Sequence, residues 1–138
     1  MDIDFTFAAP LDPRTAVNGL LEAGVSVNYE GLLSYVLDRD GMFDWKRVDI
    51  SRLADVLDWA SSCEFGGATF GISIIFDGDR GGDLLFLPER KELSFLVTIN
   101  RKTLTPLSKF CDFGWYLRRL VPVLEPMGLA EIELRDAA

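Results

Sequence analysis

The chain of 138 residues is 49 % hydrophobic and 26 % charged, which excludes a disordered chain and suits one domain over residues 1–138. Its net charge is −8, and residues 1–80 hold 14 of the 22 acidic side chains but 6 of the 14 basic ones. A surface of this sign repels nucleic-acid phosphates and anionic lipids and attracts basic proteins. Negative charge also keeps a domain soluble, so the acidic surplus has two interpretations.

The first residues predict a strand followed by a helix. Apolar and polar residues alternate over residues 3–7, as they do in a strand with one buried face. Asp12 followed by Pro13 is typical of a helix start, because the aspartate caps free backbone N–H groups and proline suits the first helical position. We therefore predict a helix over residues 12–23.

Residues 25–48 fit two different structures. Their apolar positions match either a helix or a pair of strands. Residues 38–41 have a strong turn sequence, and strand-forming residues lie on both sides of it. This pattern favours a hairpin in which residues 32–37 pair with residues 42–48.

The rest of the chain predicts two more helices and four more strands. An amphipathic helix over residues 50–62 has an apolar face formed by Ile50, Leu53, Ala54, Leu57 and Ala60. Residues 70–76, 84–87 and 93–99 predict an antiparallel meander with a turn over residues 77–82, followed by a helix over residues 108–124 and a short strand around Ile132 and Leu134. The predicted fold is α+β: one mixed, mainly antiparallel sheet with about three helices, in the order β-α-β-β-α-β-β-β-α-β.

Several catalytic chemistries are excluded by the residues present. The chain has no histidine, so it holds no Ser-His-Asp triad, no Cys-His pair and no HExxH zinc site. The loop that begins Asp77-Gly78-Asp79 resembles a calcium loop, but Pro88 stands where that loop needs a glutamate. We predict buried structural thiols at Cys63 and Cys111. We expect neither an enzyme nor a cofactor or metal site.

Acidic and aromatic residues interleave in the predicted hairpin and continue as carboxylates on the following helix. Aromatic side chains supply buried area in protein interfaces, and carboxylates attract and pair with Lys or Arg. We predict a partner-binding surface that consists of Asp38, Asp40, Phe43, Asp44, Trp45, Asp55 and Asp58. The other interpretation is a hairpin whose aromatic residues face the core and whose acids face water.

Two segments, Asp40-Gly41-Met42-Phe43-Asp44-Trp45 and Cys111-Asp112-Phe113-Gly114-Trp115-Tyr116, come nearest to a family signature. With its size, acidity and α+β pattern, the chain resembles the small immunity proteins of bacterial polymorphic toxin systems. The resemblance implies a cytoplasmic inhibitor that occludes the active site of a cognate, basic toxin, with neither nucleic acid nor membrane as a partner.

Two alternatives come from other functional classes. The first is a small metal-dependent enzyme that uses the paired carboxylates of Asp55 and Asp58 or of Asp77 and Asp79. The second is a regulatory or structural module that forms a homodimer by pairing the edge of its sheet with itself.

Overall fold

The computed structural model describes residues 1–77 and 79–137. In these two ranges the chain forms an antiparallel sheet of seven strands and three α-helices. The strands are β1 (Asp2–Phe7), β2 (Leu32–Asp38), β3 (Lys46–Asp49), β4 (Thr69–Ile75), β5 (Gly81–Phe86), β6 (Glu92–Ile99) and β7 (Leu129–Arg135). The helices are α1 (Pro13–Glu22), α2 (Leu53–Ala60) and α3 (Phe113–Leu124). The predicted α+β class and element order are confirmed.

The strands lie in the order β3-β2-β4-β5-β6-β1-β7. The predicted hairpin is confirmed as β2 and β3, with Leu32 opposite Asp49 and Tyr35 opposite Lys46, but its second strand begins at Lys46 and not at residue 42. The predicted meander is confirmed as β4, β5 and β6. β1 lies between β6 and β7, so the hairpin forms one edge of the sheet and β7 forms the other.

One face of the sheet carries the hydrophobic core. Alternate residues of the strands, among them Phe5, Phe70 and Phe95, are fully buried together with the inner faces of the helices. α3 joins this core through Tyr116, whose ring packs against Phe95 with ring centroids 5.7 Å apart. We call the opposite side of the sheet the open face; it carries Asp2, Asp4, Val36, Gly71, Ser73, Asp83, Leu85, Ser94, Glu131, Glu133 and Arg135.

The helix boundaries agree with the sequence at α1 but differ at α2, which spans Leu53–Ala60 rather than residues 50–62, and at α3. Asp12 caps α1 by accepting a hydrogen bond from the backbone N–H of Thr15, as the sequence predicts. α3 begins at Phe113 rather than at residue 108, so the predicted start is wrong. Asp112 caps it by accepting a hydrogen bond from the backbone N–H of Trp115. Residues before this cap form a loop that is tied down by a hydrogen bond from the backbone N–H of Lys102 to the Tyr116 hydroxyl.

Two smaller predictions need correction, and a third falls outside the described residues. On α2 the buried face contains Val56, and Ala54 of the predicted apolar face is exposed. Cys63 is exposed in the turn after α2, whereas Cys111 is buried as predicted. Gly78, which belongs to the predicted turn over residues 77–82, lies outside the described residues.

Arg90 is a charged side chain inside the core region. It follows Pro88 in the turn between β5 and β6 and is 7 % exposed. Its guanidinium donates to backbone carbonyls at the end of α2, at the start of β4 and at the end of β5, namely those of Ala60, Phe65, Ala68, Phe86 and Leu87. One side chain therefore joins three parts of the fold that are distant in the sequence.

Candidate functional site

The hairpin loop, residues 39–45, joins β2 to β3 and contains most of the predicted binding residues. Asp38 stands at its base and is 8 % exposed. The Asp38 carboxylate accepts hydrogen bonds from the backbone N–H groups of Gly41 and Phe43, each at 2.9 Å. These bonds hold Phe43 at a φ of 49°, in the left-handed region that a bulky side chain rarely adopts. Asp38 therefore shapes the loop and presents little carboxylate surface to a partner.

The same bonds set the charge state of Asp38. The hydrogen bond from the Phe43 backbone is the largest cause of a pKa below the usual 3.8, and desolvation opposes it in part. The Gly41 backbone adds to the lowering. Asp38 is therefore ionised at neutral pH, and its charge is balanced by backbone dipoles of its own loop.

The tip of the hairpin loop exposes two large apolar side chains. Met42 is 77 % exposed and Phe43 is 43 % exposed. Asp40 and Asp44 flank them and are exposed as well. Asp40 also accepts a hydrogen bond from the backbone N–H of Met42 at 3.1 Å, which fixes the first half of the tip. The loop therefore presents an apolar pair between two carboxylates.

A shallow groove of about 620 Å³ runs along the hairpin loop and is lined by the loop and by the adjoining ends of β2 and β3. Arg39 and Lys46 line it together with the acids. Arg39 is held in place, because its guanidinium donates to the carbonyl of Glu64 at 2.7 Å and lies 4.4 Å from the centre of the Phe65 ring. This contact attaches the hairpin loop to the turn that follows α2.

Trp45 does not belong to the exposed tip. Its ring lies on the open face, where a Cβ added to Gly71 would be 2.9 Å from Trp45 Cη2. The same position would meet side-chain atoms of Val36 and Leu85 at 2.8 Å. Trp45 therefore covers the backbone of Gly71 between those two side chains and anchors the end of the hairpin loop to the sheet.

Asp55 and Asp58 lie on α2 and do not line the groove of the hairpin loop. Asp55 forms an ion pair with Arg52 at 3.1 Å, and Asp58 forms one with Arg14 of α1 at 2.8 Å. Both pairs are exposed to solvent, where such pairs contribute little to stability. The structure thus divides the predicted binding residues into two groups, one at the hairpin loop and one on α2.

Metal binding finds no support in the described ranges. Across residues 1–77 and 79–137, no three His, Cys, Asp or Glu side chains are grouped so that they could hold an ion. Asp77, a candidate ligand in the alternative enzyme hypothesis, forms an ion pair with Arg119 at 3.3 Å.

The sequence did not identify Met42, Arg39 or Lys46 as members of this surface. Met42 had a signal, because an apolar residue directly after the turn glycine Gly41 lies at the end of the hairpin, where few neighbours can bury it. Arg39 and Lys46 had no such signal in the sequence, since the acidic residues around them dominate the local charge.

Comparison with models of known families, with curated proteins and with solved structures found no significant match. Among the described residues, no helix is long and apolar enough to cross a membrane.

Proposed function

We propose that this chain is a cytoplasmic inhibitor that binds a cognate antibacterial toxin and covers the toxin's basic active site. One observation carries the proposal: Met42 and Phe43 are exposed at the tip of a loop whose shape is fixed by Asp38, between the carboxylates of Asp40 and Asp44.

Each part of this arrangement suits an inhibitor. Large apolar side chains that enter a pocket supply most of the affinity in protein interfaces. A toxin that acts on an anionic substrate has Lys or Arg in its active site, and Asp40 and Asp44 can pair with them in place of that substrate. Because the loop is ordered before binding, little conformational entropy is lost when the complex forms.

The proposal is tested first in cells. The chain is co-expressed with the product of the adjacent reading frame, and growth is compared with cells that express this product alone. We expect the product to arrest growth alone and to be harmless in the presence of the chain. A product that is harmless alone, or that still arrests growth, overturns the proposal.

Purified proteins then test the surface. Asp40→Lys/Asp44→Lys should lower the association rate at low salt by about tenfold, because the steering charge is reversed. Glu22→Lys/Glu125→Lys is the matched control, since both residues are exposed at helix ends and the net charge changes equally. An equal effect of both variants would attribute steering to the total charge and would remove the hairpin loop from the interface.

The contribution of the two exposed apolar side chains, Met42 and Phe43, to toxin binding is tested separately. Met42→Ala/Phe43→Ala should raise the dissociation constant about 30-fold or more, mainly through faster dissociation. Asp55→Lys/Asp58→Lys examines the second group of predicted residues. If this variant slows association and the loop variants do not, the interface lies on α2 and not at the hairpin loop.

A further inference from the structure

The outer edge of β7 has no partner strand within residues 1–77 and 79–137. The backbone hydrogen bonds between β1 and β6 fix which backbone groups of β1 face β7, and from these it follows which groups of β7 point to the outer edge. On β1, Phe7 donates to the carbonyl of Lys91, and the carbonyl of Met1 accepts from Val97, so the odd-numbered residues of β1 face β6. The even-numbered residues of β1 therefore face β7.

On β7 the same alternation continues. Asp4 of β1 stands opposite Glu133, so Glu133 and its alternate neighbours direct their backbone groups to β1. Ala130, Ile132 and Leu134 must then direct their N–H and C=O groups outward. An edge with such unpaired groups is a template for another strand.

The side chains of β7 leave this edge accessible. Ile132 is 40 % exposed and Leu134 is 43 % exposed, and both lie on the side of the sheet that carries the core. The strand contains no proline, and its bulge lies at its start, where Leu129 meets Phe7. Neither of these devices therefore blocks edge pairing between Ala130 and Arg135, and the charged residues Glu131, Glu133 and Arg135 all lie on the open face.

We propose that β7 pairs antiparallel with β7 of a second copy of this chain, about a two-fold axis that passes through Glu133. In this register Glu131 stands opposite Arg135 of the partner subunit, and Ile132 stands opposite Leu134 of the partner subunit. The two-fold axis repeats both pairs, so two opposite-charge pairs and two apolar pairs form.

Charge and overlap together select this register over its neighbours. An axis at Ile132 would place Glu131 opposite Glu133 of the partner subunit, and like charges directly opposite each other destabilise a sheet. An axis at Leu134 would place Glu133 opposite Arg135 of the partner subunit, but it would shorten the overlap and place Ile132 opposite Asp136 of the partner subunit. In the proposed register the two Glu133 residues meet, but each lies 3.1 Å from its own Arg135.

The dimer would not cover the hairpin loop. β3 and β7 form opposite edges of the sheet, so pairing through β7 places the two hairpin loops at the far ends of one continuous sheet. At about 4.8 Å per strand, they would lie roughly 60 Å apart. Dimer formation would therefore leave both hairpin loops free to bind a toxin, and it does not depend on the proposed toxin inhibition.

Disulfide trapping tests the register in a Cys63→Ser background, which removes the exposed native thiol. Glu133→Cys should form a covalent dimer under mild oxidation, because paired residues at the axis have Cβ atoms about 5 Å apart. Glu131→Cys is the control, since its two copies would be about 13 Å apart. Trapping at residue 131, or at Ile132→Cys or Leu134→Cys in preference to 133, overturns the proposed register.

Light scattering tests the dimer itself. The mass of the unmodified chain should rise with concentration from 15.4 kDa toward twice that value. Glu131→Arg places a cation opposite the partner's Arg135 and should raise the dimer dissociation constant about tenfold, whereas Glu22→Arg should leave it unchanged. A mass that stays at the monomer value at every concentration overturns the proposal.

Discussion

On the open face, the ring of Trp45 lies against Gly71 of β4. A methyl group on Gly71 would be only 2.9 Å from Trp45 Cη2. Gly71 stands opposite Val36 on one side and Leu85 on the other. A glycine at this position lets the indole ring reach the sheet between two aliphatic side chains. The end of the hairpin loop is therefore fixed by a residue of a different strand.

Gly71→Ala should displace the Trp45 ring. The added Cβ would meet three side-chain ends at 2.8–2.9 Å, and these have to move because real Cβ atoms do not approach so closely. We expect the free energy of unfolding to fall by about 1–3 kcal/mol, with a shift in tryptophan emission. Gly67→Ala is the control, since nothing lies within 4 Å of its added Cβ. Equal stability of both variants and of the original chain would contradict this packing.

Acid should release the hairpin loop through Asp38. The pKa of Asp38 is lowered in the folded chain, chiefly by the hydrogen bond from the Phe43 backbone, so its contribution to stability is present above the ordinary pKa of 3.8. The contribution is lost as the pH falls through the lower, folded pKa. We expect the amide proton signals of Gly41 and Phe43 to shift together with a midpoint below pH 3.8, measured by NMR.

Asp38→Asn is the control for this titration. An amide keeps the shape of the side chain but has one acceptor oxygen and no charge, so the common midpoint of Gly41 and Phe43 should disappear. A midpoint at or above pH 3.8 in the original chain would show that the carboxylate does not hold the loop.

Arg90→Met should destabilise the fold more than any exposed substitution. The guanidinium serves five backbone carbonyls, and methionine fills a similar volume without any donor. We expect a loss of about 3 kcal/mol in the free energy of unfolding, measured by urea denaturation. The neighbouring Lys91→Met, at an exposed position, should change it by less than about 0.5 kcal/mol. Similar losses for the two variants would refute the role of Arg90.

The two cysteines should differ sharply in reactivity. Burial, with the nearby charge of Asp136, raises the pKa of the Cys111 thiol to about 11, so its thiolate is scarce at neutral pH. Cys63 is exposed. A thiol reagent at pH 8 should therefore modify one cysteine rapidly and the second only after unfolding, which mass spectrometry of Cys63→Ser and Cys111→Ser can assign. Rapid labelling of Cys63→Ser would contradict the burial of Cys111.

The parts of the fold that were predicted from sequence depend on local signals. Asp12 and Pro13 mark the start of α1 because capping involves only residues within one helical turn. The turn after Asp38 likewise identifies the hairpin, although residues 25–48 also fit a helix. These signals do not depend on the rest of the chain.

The wrong start of α3 had a local signal that the prediction passed over, since Asp112 caps the helix by accepting from Trp115 three residues later. The loop before this cap is held by the hydrogen bond between Tyr116 and Lys102, which no local pattern contains. At the candidate site, local and distant contacts together decide which of the predicted residues reach the surface. Asp38 was predicted as a contact residue, but the backbone of its own loop occupies its carboxylate, and Trp45 turns to the sheet because Gly71 leaves room for it.

The position of β1 between β6 and β7 has a consequence for how the chain folds as it leaves the ribosome. The ion pair between Arg135 and Asp2 joins residues 133 positions apart, and β1 must wait for β6 before either of its edges is paired. The hairpin and the meander can form early because their contacts are local. Until β6 has been made, β1 has no partner strand and exposes Ile3, Phe5 and Phe7, which favours aggregation of the nascent chain over this interval.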